Sequence, residues 1–193
     1  MEMILQDAPA PQCCDLLDRP MPVFQQHGGV PSFMKTVTLD TGEIEIAKAI
    51  ARARSANNIM AGVACQLRSP APPCEEEMNG FGAEIAYCKA FNLYPDFSVI
   101  PKKGGHDCVH CGKTVDVKAT PHTNGRLLVL PHKESHGVDM YALVTGWMPH
   151  YTIVGYATRD EVFRNDNMMD MGHGESHAIE QEGLHEFNDM HQH

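Results

Sequence analysis

The sequence predicts an α+β fold with an α/β-type core, a single mixed β-sheet flanked by helices. Three observations predict it. Helix-period stretches come first, a run of short β-branched segments follows, and a short helix closes the run. Gly and Pro punctuate the short segments, as strands require. At 193 residues, with 42% hydrophobic and 21% charged residues, the chain has enough apolar material for one ordinary core and too little length for two.

Residues 1–33 carry Pro9, Pro11, Pro20, Pro22 and Pro31 without a sustained period, and are expected to form an extension with no core of its own. The core is expected over residues 34–165. It opens with MKTVTLD, which alternates like a strand. Asp40 and Glu43 then have capping-box spacing and predict a helix to about Asn57, with Ile46 and Ile50 on one face and Lys48 and Arg52 on another. That basic face is a solvated surface or a nucleic-acid contact. SPAPPCEEE, at 69–77, has linker composition. NGFGAEIAYCKAFNLY, from Asn79, predicts a second helix whose Ala83, Ala86 and Ala90 permit close packing on a sheet. FSVI, DCV, KTVDVKAT, RLLVL, MYALVTGW and YTIVGYAT read as strands, and RDEVFRN as a short helix. Residues 166–193 form an acidic, His- and Met-rich segment, expected to dock loosely and to hold one last strand and turn in SHAIEQEGLHEF.

Charge is polarised along the chain. The net charge is −10, yet residues 101–133 hold Lys102, Lys103, Lys113, Lys118, Arg126 and Lys133 against only Asp107 and Asp116. Residues 159–193 hold two arginines against nine acids. Any anionic partner would therefore meet the middle of the chain. No apolar run approaches the roughly 18 residues of a membrane span. MEMILQDAPAPQ, with an acid at position 2 and no apolar stretch, reads as a start without a secretory leader, so a cytoplasmic location is expected. Neither a phosphate-cradling G-x-x-x-x-G-K-[ST] loop nor a G-x-S-x-G elbow occurs, which argues against P-loop nucleotide hydrolysis and serine-type ester hydrolysis.

The chemistry-bearing stretch is GHDCVHCGKTVDVK, residues 105–118. With Val109–Gly112 as the turn of a hairpin, Cys108 would pair with Lys113, and Asp107 would lie opposite Thr114 and diagonal to Asp116. Diagonal neighbours on one face sit about 7–8 Å apart, near enough to share a cation. Asp116 and Lys118 emerge on one face, and Val115 and Val117 on the other. Two carboxylates suit Mg²⁺ or Mn²⁺, and a neighbouring lysine can orient water or stabilise charge on phosphate. Glu84, on the preceding helix, could complete the set. The plain alternative is a surface hairpin with a diagonal ion pair.

Glu84 on a helix, Asp107, and Asp116-Val117-Lys118 on the next strand resemble the PD-(D/E)XK nuclease superfamily, whose core is restriction-endonuclease-like. GAEIAYCKAFNLYPD, DVKAT, LLV, YALVTG and YTIVGYAT are similar to nuclease-like proteins of bacteriophages. The likeness covers about residues 79–165. It implies a metal-dependent nuclease acting on DNA in the host cytoplasm, with Asp107, Asp116 and Glu84 at a Mg²⁺ or Mn²⁺ ion, Lys118 positioning water, and a homodimer as a common assembly. The residue before Asp107 is His106 rather than proline. A literal proline–aspartate pair stands at Pro95-Asp96, which makes Asp96 the alternative ligand.

Seven cysteines, an odd number, suit reduced thiols or metal ligands better than a disulfide framework. Cys108 and Cys111 form a C-x₂-C pair, and His132 and His136 an H-x₃-H pair, so structural Zn²⁺ is arithmetically open. The competing reading makes the cysteines hairpin-tip residues and the histidines part of a solvated loop. Two further functions stay open beside the nuclease: a non-catalytic nucleic-acid or protein-binding module on the same fold, and a zinc-stabilised adaptor.

Overall fold

The structure, a computed structural model, describes residues 34–62, 73–100, 105–170, 172 and 174–187. The expected extension 1–33, Cys13, Cys14, Cys65, Lys102 and Lys103 lie outside the described residues. The fold is α+β. Strand β1 (Lys35–Thr38) leads into helix α1 (Thr41–Met60), whose Asp40 accepts from the Glu43 amide while Glu43 accepts from the Asp40 amide. The expected capping box is therefore formed. Of the expected apolar face, Ile50 packs against the core while Ile46 is 47% exposed, and the fully buried positions are Ala47 and Ala51. Small residues let α1 approach α2 (Pro73–Phe91) closely, and the larger isoleucine at 46 is left outside.

Helix α2 starts six residues before the expected Asn79, because part of the supposed linker is its first turn. Pro73 suits a first helical position, where no amide hydrogen is needed, and Glu75 and Glu76 complement the positive end of the helix dipole. FSVI is not a strand. The Ser98 and Val99 carbonyls accept from the Arg54 and Asn57 side chains of α1, which replace a neighbouring strand.

Five strands form a mixed sheet in the order β1, β6 (His150–Thr158), β5 (Met140–Trp147), β3 (Lys113–Thr120), β2 (Cys108–His110). Strands β3 and β5 are parallel, with Asp116 beside Tyr141 and Lys118 beside Leu143. The expectation of a single sheet is corrected. Strands β4 (Leu127–Val129), β7 (Met168–Asp170) and β8 (Glu175–Ile179) make a second, three-stranded sheet in the order β4, β8, β7. Strand β4 has one apolar face to cover. It pairs with β8, Leu127 opposite Ile179, and turns Leu127 and Val129 inward.

The main sheet is thus buried on both sides. Helices α1 and α2 cover Val115, Val117, Ala142, Val144 and Ile153. The small sheet and helix α3 (Arg159–Val162) cover Tyr141, Leu143, Val154 and Ala157. The segment from 166 is not loosely docked as far as residue 187. Ser176 and His177 are buried in β8, and Phe187, 4% exposed, joins the core beneath the helices. Its ring meets Tyr87, Phe91, His110 and Tyr156, aromatic area that outweighs the acidic composition around it.

Candidate active site

The hairpin of β2 and β3 turns on two residues, not on the longer turn expected. Cys111 (φ 48°) and Gly112 (φ 75°) occupy the turn, so His110 pairs with Lys113 and Cys108 with Val115. Two consecutive positive φ values match the right-handed twist of the flanking strands, and Gly112 adopts one of them without steric cost. The consequence falls on Asp107. Instead of lying opposite Thr114, it sits beside the Asp116 stretch, with its amide donating to the Val115 carbonyl at 2.8 Å and its Oδ2 accepting from the Val117 amide at 2.7 Å. A carboxylate oxygen takes the place of a backbone acceptor in the ladder, which fixes the side chain.

Asp116 and Lys118 emerge on one side of β3, as alternation requires, and form an ion pair through Asp116 Oδ1. That side is the one shared with Tyr141, whose ring centroid is 5.9 Å from the Lys118 ammonium. The acidic face is therefore the edge of the second core rather than a solvated surface. The Asp116 side chain is 6% exposed. Its Oδ2 is buried without a hydrogen-bond partner, and the Lys133 Nζ stands 3.6 Å away. Lys133 belongs to the 3₁₀ helix Pro131–His136 between β4 and β5.

Glu84 reaches the cluster from α2 and is held by Arg54 of α1, whose Nη1 donates to both carboxylate oxygens at 3.2 and 3.1 Å. The same guanidinium donates to the carbonyls of Asp96 and Ser98 and lies 4.4 Å over the Phe81 ring. The Asp96 amide donates to the Asp107 carbonyl at 3.0 Å, so a chain of contacts runs from Arg54 through residues 96–98 to Asp107. Asp96, the alternative ligand, thus borders the site, while its Oδ1 accepts from the Ser98 amide in a local turn.

The three carboxylates interact electrostatically. Burial, and then the charge of Asp107, hold the Glu84 carboxyl well above the usual range. Burial, and then Asp116, push Asp107 up to about 6, with Lys118 acting in the opposite direction. Acids crowded into a low-dielectric pocket resist ionising together, and a cation placed among them would relieve this. A cavity of about 310 Å³ opens beside Asp107, with Arg54, Asn58, His106 and Lys133 on its walls.

Among the described residues, no group of three or more His, Cys, Asp or Glu side chains is placed to hold a metal ion. Two protein carboxylates are nonetheless a familiar complement for Mg²⁺, which keeps waters and takes substrate phosphate for the rest. The buried, unpartnered Asp116 Oδ2 is the acceptor that such an ion would use. In that sense Asp107 and Asp116 are the residues that would hold such an ion, with Glu84 behind them.

The proposed zinc ligands are dispersed. Cys108 is buried in the core beneath the helices, in contact with Cys88, while Cys111 is exposed at the turn. His132 and His136 stack edge to face on the 3₁₀ helix with centroids 5.7 Å apart, and His136 feels the charges of Lys133, Asp116 and Lys118.

Two residues of the site escaped the sequence reading. Arg54 lies at helical spacing from Ala47 and Ala51, and a charged residue on the small, buried face of a helix signals a buried partner. Lys133 stood out only as one of the basic residues of 101–133, with nothing to direct it toward Asp116. Comparisons with models of protein families, with curated proteins and with solved structures return no match to this chain.

Proposed function

We propose that the chain is a metal-dependent nuclease that hydrolyses DNA phosphodiester bonds. The observation that carries the reading is the convergence of Asp107, Asp116 and Lys118 on one cluster, with a buried Asp116 oxygen that no hydrogen bond satisfies. Asp107 and Asp116 would hold Mg²⁺ or Mn²⁺, which when bound lowers the pKa of water and neutralises charge on phosphate. Lys118, fixed by Asp116 and by the Tyr141 ring, would orient the attacking water and face the charge that develops on the phosphoryl oxygens. Glu84, clamped by Arg54, would add a third carboxyl behind the two acids. Lys113, Arg126 and Lys133 of the basic stretch would contact the DNA backbone, giving affinity without sequence reading. A homodimer acting in the cytoplasm, which would bring one site to each strand of a duplex, is the assembly that goes with this reading.

The test is cleavage of supercoiled plasmid and linear DNA in Mg²⁺, Mn²⁺ or EDTA by the wild type, Asp116→Ala and Lys118→Ala. Cleavage that needs the metal and falls by about 100-fold or more in both variants is expected, the scale of losing a preorganised charge. Equal cleavage by all three proteins points to a contaminant and ends the proposal. Metal-independent DNA binding without any cleavage would favour a binding module on the same scaffold.

A further inference from the structure

Asp116 is served by two lysines in unequal ways. Lys118 hydrogen-bonds Oδ1 from the same strand, while Lys133 approaches Oδ2 from the 3₁₀ helix and stops at 3.6 Å, an ion pair beyond hydrogen-bonding distance. Oδ2 is buried and has no hydrogen-bond donor. Lys133 also lines the cavity that holds Asp107 and Arg54, so its flexible stem has a second place to carry the ammonium. A carboxylate buried beside two others needs a counter-charge whether or not a metal is bound. Lys133 places its ammonium 3.6 Å from the oxygen that a metal would take.

We propose that Lys133 is the resident counter-cation of Asp116 in the metal-free protein, and that on metal binding it gives up Oδ2 to the divalent ion and turns its ammonium to a phosphate of the nucleic acid in the cavity beside Arg54. The proposal rests on the nuclease reading and deepens it. Lys118 stays in place, because its hydrogen bond to Oδ1 leaves that oxygen engaged. Lys133 then has two opposed effects on binding. It competes with the metal at Asp116, and it attracts the substrate. The metal-free protein keeps the three acids compensated, and substrate phosphate and metal arrive as a cooperating pair, since each favours the same position of the lysine.

The opposed signs make the test specific. Mn²⁺ binding to the free protein, without DNA, is titrated for the wild type, Lys133→Met, Lys133→Arg and Asp116→Asn. Binding of a labelled duplex oligonucleotide is measured in parallel in Ca²⁺. Lys133→Met, which keeps the apolar stem, is expected to bind Mn²⁺ on the order of tenfold more tightly, as removal of a like charge at such range implies. It should bind the oligonucleotide about three- to tenfold more weakly, with the salt dependence reduced by about one phosphate contact. Lys133→Arg should stay near wild type in Mn²⁺ affinity, and Asp116→Asn should lose Mn²⁺. A damaged fold would weaken both ligands together and cannot mimic the crossed result. If the wild type binds Mn²⁺ through Asp116 but Lys133→Met binds it no more tightly, the lysine's role is overturned and the nuclease reading stands. If neither the wild type nor Lys133→Met binds Mn²⁺, both are overturned.

Discussion

Asp107 carries two demands that conflict. Its Oδ2 is fixed by the Val117 amide, which favours the charged form, but burial and the neighbouring Asp116 push its carboxyl up to about 6. The folded protein therefore holds a proton on this group over a pH window in which the unfolded chain, with an ordinary aspartate, has lost it. Where the native state binds more protons, stability falls as pH rises, so this group weakens the fold progressively between about pH 4 and pH 6 and stays unfavourable above. Asp107→Asn keeps an oxygen for the Val117 amide and removes the charge. Urea unfolding at a series of pH values should show the variant more stable at pH 8, by an amount on the order of 2 kcal/mol, and flatter from pH 4 to 6. A variant less stable than wild type at pH 8 would contradict the electrostatic account. Under the proposed nuclease reading the same carboxylate would have to be ionised to hold a metal, so cleavage should rise as pH passes through about 6.

At the scale of elements, the joint between α1 and α2 is built on Arg54. It closes a partly buried ion pair with Glu84 and satisfies two carbonyls of the segment that leads toward Asp107. Removing one partner of a partly buried pair leaves a poorly compensated carboxyl, so Arg54→Met should cost about 2 kcal/mol, less than for a fully buried pair, with part of the loss recovered when Glu84→Gln is added. Thermal unfolding of the single and double variants measures this, and hydrogen exchange at the Asp96 and Ser98 amides should quicken in the single variant, since they donate to the Asp107 carbonyl and the Asp96 side chain from the segment that Arg54 ties down. An unchanged exchange rate would mean that the segment is held by other contacts. Much of the element pattern was legible in the sequence, because capping boxes, β-branched runs and proline–glycine punctuation act over a few residues. The capping box expected at Asp40 starts α1, and seven of the eight expected strand segments, all but FSVI, are strands. FSVI failed for a long-range reason: its hydrogen-bond partners are side chains some 42 to 44 positions away in the sequence.

For the whole molecule, the C-terminal segment decides whether the second face of the main sheet is covered. Strand β8 completes the small sheet over Tyr141 and Leu143, and Phe187 crosses to the helix side and packs against Tyr87 and Phe91. Phe187→Ala should lower unfolding stability by about 3–5 kcal/mol, the range for an emptied aromatic site in a core, read from urea midpoints. A midpoint at the wild-type value would show the segment to be dispensable. No described helix is long and apolar enough to cross a membrane. By itself, the sequence determined the α+β class, most element positions, and the shared face of Asp116 and Lys118, because these follow from periodicity and short-range sterics. Only the tertiary structure decided that a two-residue turn sets Asp107 beside Asp116, that Arg54 holds Glu84, that Lys133 faces Asp116, and that a second sheet closes the fold. Those facts depend on register and on packing between distant segments, where a shift of one turn type exchanges the neighbours of every side chain while leaving the local pattern untouched.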